Sequence, residues 1–438
     1  MNNKNKQVLA IIDFVLSKYM YANVFVFYSF MKSFKIFMRF KLPTYIIVIY
    51  GLTVLFYKMF DFKNQFGYIE EILPGILILL SSIISILLSK VYNYENIKVL
   101  IVFSICLLVL LPENKKKNNQ NIYKELYYFC LLVSMLFLIY TLISFFYYLN
   151  NSSISRPIGM LEELTYFAQS IVACIGASVY CIIFTNSKVI KIIEIINFIF
   201  QSFVLFLTLQ RGSLYAYIIG IMTLAVFYTK NKNEFKINIK KELVIFSLLF
   251  IILLIIYLLF SKRISFELFQ NRINFNLNLR EYIYAFGFSA LIYHNNYIFG
   301  TSRGGIYKSW SSYLSEFYNE WKEPYENYSI VNGCINQAAI HSTVLEQLFV
   351  HGILGLISLM YFYFKIIYNL YLLFIESNIS KNRIALFSAS LFLIGVPLLD
   401  SFVNRTLLFD IVYPQNLCFF VFTGALFRLL KKTGLVVY

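Results

Sequence analysis

Three short stretches of this chain place residues that bind anions or move protons where hydrophobic surroundings make them costly. The first is Leu207-Thr-Leu-Gln-Arg-Gly-Ser213, in which Arg211 stands between two apolar runs with almost no loop. A charged side chain at the centre of a bilayer costs roughly 2.5–3.5 kcal/mol on insertion scales and less near the interface, so an intramembrane arginine is a functional candidate by default. Its guanidinium can clamp phosphate oxygens in bidentate fashion. Gly212 allows close approach, and the helix expected next would point free N–H groups at the same place. The plainer alternative is an arginine that snorkels to the headgroups and anchors a helix end.

The second stretch runs from Leu279-Arg-Glu-Tyr-Ile-Tyr-Ala-Phe to Ile298-Phe-Gly-Thr-Ser-Arg-Gly-Gly305. Arg280 opens an amphipathic helix expected over Leu279–Tyr293. Arg303 sits in a turn where Gly300, Gly304 and Gly305 free the backbone to form an anion-binding concavity. No GxGxxG step or βαβ context surrounds it, which argues against a nucleotide fold. Alternatively, Arg280 pairs with Glu281 or Glu267 on the protein surface.

The third stretch is His341-Ser-Thr-Val-Leu-Glu-Gln-Leu-Phe-Val-His-Gly-Ile-Leu-Gly355. His341 opens an apolar run, with Glu346 next inward. Histidine is the side chain best suited to moving protons near neutral pH, although a lone one at an interface is commonly structural. His294 and His351 are weaker candidates. Three histidines without a carboxylate at suitable spacing make no metal site, and no cofactor is expected.

These stretches need a membrane scaffold. The chain is 59% hydrophobic, 19% aromatic and 14% charged, with a mean hydropathy of +0.69. Soluble domains carry about 25% charged residues. Apolar runs long enough to cross a core of about 30 Å recur along the sequence. They are expected at 8–30, 42–58, 72–89, 98–111, 123–148, 163–185, 192–209, 213–228, 243–260, 342–366, 384–399 and 406–428. The fold class is therefore an all-α integral membrane protein of about twelve transmembrane helices. Residues 1–260 form an N-terminal bundle and 341–438 a C-terminal one. Between them, 261–340 is a large, mostly helical extracytoplasmic cap. Its aromatics (Trp310, Tyr313, Phe317, Trp321, Tyr325) either offer faces for sugar rings or make the cap's own core. The first run carries Asp13 and Lys18 and lacks a small-residue cleavage site, so it reads as a span and not a signal peptide.

The net charge of +16 reads as the positive-inside bias, and no basic segment is long enough to form a nucleic-acid groove. Lysine-bearing loops at Glu113–Gln120 and Thr229–Glu242, with the C-terminus, fall on one side of the membrane under this count. Arg211, Asp400–Arg405 and the cap then face the other. Lys32, Lys35, Arg39 and Lys41 disagree, which means a mis-assigned span before residue 112 or a first helix lying in the interface. Five cysteines lie in apolar runs and Cys334 stands alone in a polar one, with no CxxC spacing.

Taken together, an arginine-glycine step, an arginine-led helix ending in Asn296-Tyr-Ile-Phe-Gly-Thr-Ser-Arg-Gly, and a histidine-led helix carrying Gly352 and Gly355 resemble the O-antigen polymerase and ligase superfamily of bacterial envelope glycosyltransferases. The resemblance covers residues 200–366 by motif. Ser342 stands where the family usually has Asn, and His351 where it often has an acidic or small residue.

The resemblance implies a multi-pass enzyme of the bacterial cytoplasmic (inner) membrane with its active site facing outward. It implies glycans on undecaprenyl pyrophosphate as substrates, membrane lipids as surroundings, and a chain-length regulator and flippase as partners, with no metal or nucleotide sugar. Polymerisation of lipid-linked repeats is the leading expectation. Arg211, Arg280 and Arg303 would hold the pyrophosphate, and His341, with Glu346 in reserve, would take the acceptor's proton. The alternatives are ligation of the finished chain to lipid A-core and a flippase. A flippase should bury charges along a central path and show matching interrupted helices, and no such repeat is evident.

Overall fold

The structure, a computed structural model, describes residues 3–34, 42–59, 69–90, 100–101, 103–111, 119–151, 156–159, 164–231, 280–302, 305–327, 342–376, 379–402 and 414–431. Its described residues form helices and no strand. Backbone polar groups have no partner in hydrocarbon, so a spanning chain satisfies them within its own helices. Seven of these helices are long and apolar enough to cross a membrane.

The helices are α1 (Asn3–Val15), α2 (Lys18–Lys32), α3 (Leu42–Met59) and α4 (Ile69–Ser89). After a π-helical turn at Cys106–Leu110 come α5 (Asn119–Asn150), α6 (Leu164–Phe184), α7 (Lys188–Thr208) and α8 (Arg211–Lys230). Three shorter helices, α9 (Arg280–Tyr293), α10 (Ile306–Glu316) and α11 (Tyr318–Asn327), belong to the expected cap. The last are α12 (Thr343–Ile375), α13 (Lys381–Asp400) and α14 (Pro414–Lys431). The expected span 243–260 lies outside the described residues.

The bundle is built around α6, which is buried on nearly every side. Its small residues, Ala168, Ser170, Ala173, Gly176, Ala177 and Ser178, let neighbours approach closely. A methyl group added at Gly176 would lie 2.5 Å from Leu393 Cγ on α13.

One expected span is two helices. The run 8–30 breaks at Leu16–Ser17, where the Ser17 hydroxyl caps α2 by accepting from the Met20 amide at 3.1 Å. Serine is a strong N-cap residue, and a break made by a cap leaves no gap in hydropathy. Lys32 nevertheless stays at the end that holds Arg211, because Ser33 Oγ meets Tyr166 Oη near the start of α6 at 2.5 Å.

The helix ends sort into two groups. At one end, Gln210 Nε2 reaches Thr165 Oγ1 at 3.5 Å and the Thr343 amide donates to Ser401 O at 2.9 Å. At the other, Lys230 Nζ donates to Phe374 O at 2.8 Å and Lys381 Nζ to Phe184 O at 3.3 Å. Tyr180 Oη donates to Tyr123 O at 3.0 Å, which brings the start of α5 to this second end. The described residues that flank two of the basic loops, the start of α5 and Lys230, therefore lie at this second end. Two buried lysines also lie here, Lys18 donating to Leu110 O at 3.0 Å and Lys58 to Val109 O at 2.7 Å.

Candidate active site

Arg211 is the first residue of α8 and is half-buried. The chain reaches it through a tight turn: Leu209 closes α7 in the left-handed region (φ +50°), and Gln210 follows as an N-cap that makes no side-chain cap bond. The first turn of α8 thus ends in amides that its cap residue leaves uncovered, beside a guanidinium. Ser213, on the same turn, donates to Asp400 Oδ2 at 3.0 Å.

Asp400 ends α13 and is fully buried. Its neighbour Ser401 receives the Thr343 amide on its carbonyl and the Tyr363 hydroxyl, at 3.1 Å, on its Oγ. Through Asp400–Ser401, the start of α8 and the start of α12 meet. Glu346 lies in the first turn of α12, fully buried, its amide bonded to Ser342 O at 2.8 Å. The Ser342 hydroxyl caps the helix by accepting from Leu345 N at 3.3 Å. A carboxylate in the first turn is stabilised by the helix dipole. The first and third motifs therefore share one end of the bundle, with Arg211, Glu346 and Asp400 gathered around two helix N-termini.

The second motif joins them by a different route. Helix α12 breaks at Gly352 (φ +69°, ψ −168°), and the turn 297–302 fills the break. The Thr301 and Ser302 amides donate to Phe349 O at 3.1 Å and Val350 O at 2.9 Å, while Ile353 N donates to Tyr297 O at 2.9 Å and Leu354 N to Ile298 O at 3.4 Å. Ser85 of α4 completes the lock, donating to Val350 O at 2.7 Å and accepting from Ser302 N at 2.8 Å. Gly300 (φ +71°) and Gly352 permit it: an added methyl group would lie 2.3 Å from Val350 O in the first case and 2.1 Å from Ile298 O in the second.

This interlock bears on part of one expectation, the rest of which, at Arg303 and Gly304, lies outside the described residues. The amides after Gly300, read from sequence as part of an anion-binding concavity, are bonded to the carbonyls of α12. At Gly352 an alanine should lower stability by at least about 1–3 kcal/mol from backbone strain alone. Thermal unfolding of the purified protein in detergent checks this. Gly395→Ala is the control, since its added methyl group would come no closer than 3.9 Å to Ser390 O, and its midpoint should stay near wild type.

Of the other candidates, Arg280 begins α9, whereas Arg303 and His341 lie outside the described residues. His351 is buried beside the break with Nε2 3.3 Å from Ser82 Oγ, and His294 Nε2 donates to Ser309 O at 2.9 Å. Both cap tryptophans pack inward: Trp310 edge-on against Phe286 and Phe349, and Trp321 against Phe286. They belong to the core of the cap.

Asp400 was read from sequence as the start of a turn on the Arg211 side and not as a site residue. Its one signal was a carboxylate closing an otherwise apolar run.

Residues 196–360 match a family model described as O-antigen ligase. Through this segment the chain is similar to the O-antigen ligase and polymerase superfamily. The matched segment holds Arg211, Arg280, Arg303, His341, Glu346 and both glycines of the interlock, and it stops short of Asp400. No curated protein matches the chain. Members of this superfamily are glycosyltransferase-like enzymes, and the multi-helix membrane architecture accords with that class.

Proposed function

We propose that this protein polymerises lipid-linked oligosaccharide repeat units. It moves the growing glycan from undecaprenyl pyrophosphate to the next lipid-linked repeat on the outer face of the cytoplasmic membrane. The observation that carries the reading is the pair of bonds, Ser213 to Asp400 and Thr343 to Ser401, that brings the start of α8, with Arg211, and the start of α12, with Glu346, to one end of the bundle. That end is opposite the lysine-rich one, which supports an outward-facing site under the positive-inside rule.

The chemistry follows from the leaving group. As the anomeric carbon–oxygen bond breaks, negative charge builds on the pyrophosphate, where fixed cations and helix N–H groups stabilise it. Arg211 is the first candidate for that role, and Arg280 and Arg303 are the further candidates. The attacking sugar hydroxyl loses its proton as the new glycosidic bond forms. His341, which directly precedes the cap residue of α12, takes that proton, with Glu346 as the second candidate. Metal independence, a chain-length regulator and a flippase remain part of this proposal.

Ligation of the finished chain to lipid A-core is the second reading, favoured by the description of the matching family model. Surface glycan from a deletion strain complemented with wild type or His341→Ala decides between them. For a polymerase, the deletion leaves single repeat units and His341→Ala, present at normal level, fails to restore long chains. Long chains retained on the lipid carrier would make the protein a ligase. Unchanged glycan in the deletion would overturn both.

A further inference from the structure

A pocket of about 360 Å³ opens between the cap and the end of α4. Small-molecule sites occupy roughly 300–1,000 Å³. One wall is Leu88 and Ser89 of α4, another the turn 294–301, and the third the first turns of α10. Its chemistry is polar with one apolar face. Asn295, Asn296, Lys308 and Ser312 line it, and their side chains make no hydrogen bond to another described residue. His294 has one ring nitrogen engaged with Ser309 O, and Phe299 exposes part of its ring. Among the described residues, no carboxylate lines the pocket.

We propose that this pocket holds sugar units of the glycan chain, those lying beyond the unit that reacts. The inference rests on the polymerase or ligase reading above. Side-chain amides offer donor and acceptor together, matching neighbouring hydroxyls on a sugar ring, while an aromatic face suits its C–H side. One lysine without an opposing carboxylate accepts neutral or acidic sugars and disfavours cationic ones. Position supplies the second argument. Thr301, in the pocket wall, is bonded to Phe349, less than one turn along α12 from Glu346. A glycan whose lipid-linked end lies at the helix N-termini, and which extends away from the membrane, passes the cap at this point.

The test uses the full-length protein in the complemented deletion strain. Ser312→Trp fills the pocket, and Asn296→Ala combined with Lys308→Ala empties it of two hydrogen-bonding groups without adding bulk. Both should leave the first transfer intact, seen as joined pairs of repeats, while mean chain length falls about five-fold, the effect of losing a hydrogen bond's worth of affinity. A wild-type ladder from either variant, at wild-type protein level, would overturn the inference. Loss of the first transfer along with the later ones would also overturn it, by placing the pocket within the reacting site. Failure of the underlying reading is separate, because then the deletion itself leaves the glycan unchanged.

Discussion

Arg211→Ala should lower the rate of glycan transfer by about 10²–10³-fold while the protein still inserts and accumulates, the usual loss when one preorganised donor to a developing anion is removed. The geometry argues for so large an effect. Arg211 is held by a two-residue turn, with the left-handed Leu209 on one side and the Ser213–Asp400 bond on the other. Its position is therefore set before substrate arrives. Arg211→Lys keeps the charge but not the planar fork, so it should retain only part of the activity. The measurement is conversion of lipid-linked repeats to joined pairs in isolated membranes, normalised to protein level. An arginine that merely anchors a helix end would lose little activity in either variant.

Glu346→Gln should cost about 10²–10⁴-fold in the same assay, the range for loss of a general base or its charge. Glutamine keeps the shape and the buried volume, so the change isolates the carboxylate. Glu346 is fully buried in the first turn of α12, next to the Ser342 cap and the Ser401 contact. Evolutionary retention need not be invoked; burying a carboxylate is costly unless something at the site uses or balances it. Wild-type transfer in Glu346→Gln would leave His341 alone as the proton acceptor.

The long, continuous apolar runs were legible because hydropathy reports them directly. Helices α5 to α8 fall within a few residues of their expected limits. Where the reading fell short, a polar side chain had been absorbed into the helix. Helix α12 continues past 366 to Ile375, through Asn369, because that amide folds back onto Lys365 O at 2.7 Å. Lys365 in turn reaches Glu70 O at 3.3 Å. The opposite error came at Ser17, where a cap divides one apolar run into two helices.

Within the site, residue type alone marked Arg211 and Glu346, since a charge in an apolar setting is visible in any sequence. Asp400 was present in the sequence as clearly, but its partner Ser213 is 187 positions away. Spacing says nothing about such pairs. Gly300 and Gly352 were both noticed, yet each was assigned to its own segment. Only the fold shows that each glycine makes room for the other's strand of backbone.

That mutual fit bears on how the protein is made. The turn 297–302 leaves the ribosome before α12, and the break in α12 lies about two helical turns in from its N-terminal end. Irregular backbone at such depth is tolerated only when protein covers it. The carbonyls of Phe349 and Val350 and the amides of Ile353 and Leu354 are covered by the waiting turn. Release of α12 into lipid before the turn has docked would leave these groups without those partners. A chimaera that exchanged the cap or the broken helix alone, without a turn that fits the break, would strand those four backbone groups in hydrocarbon.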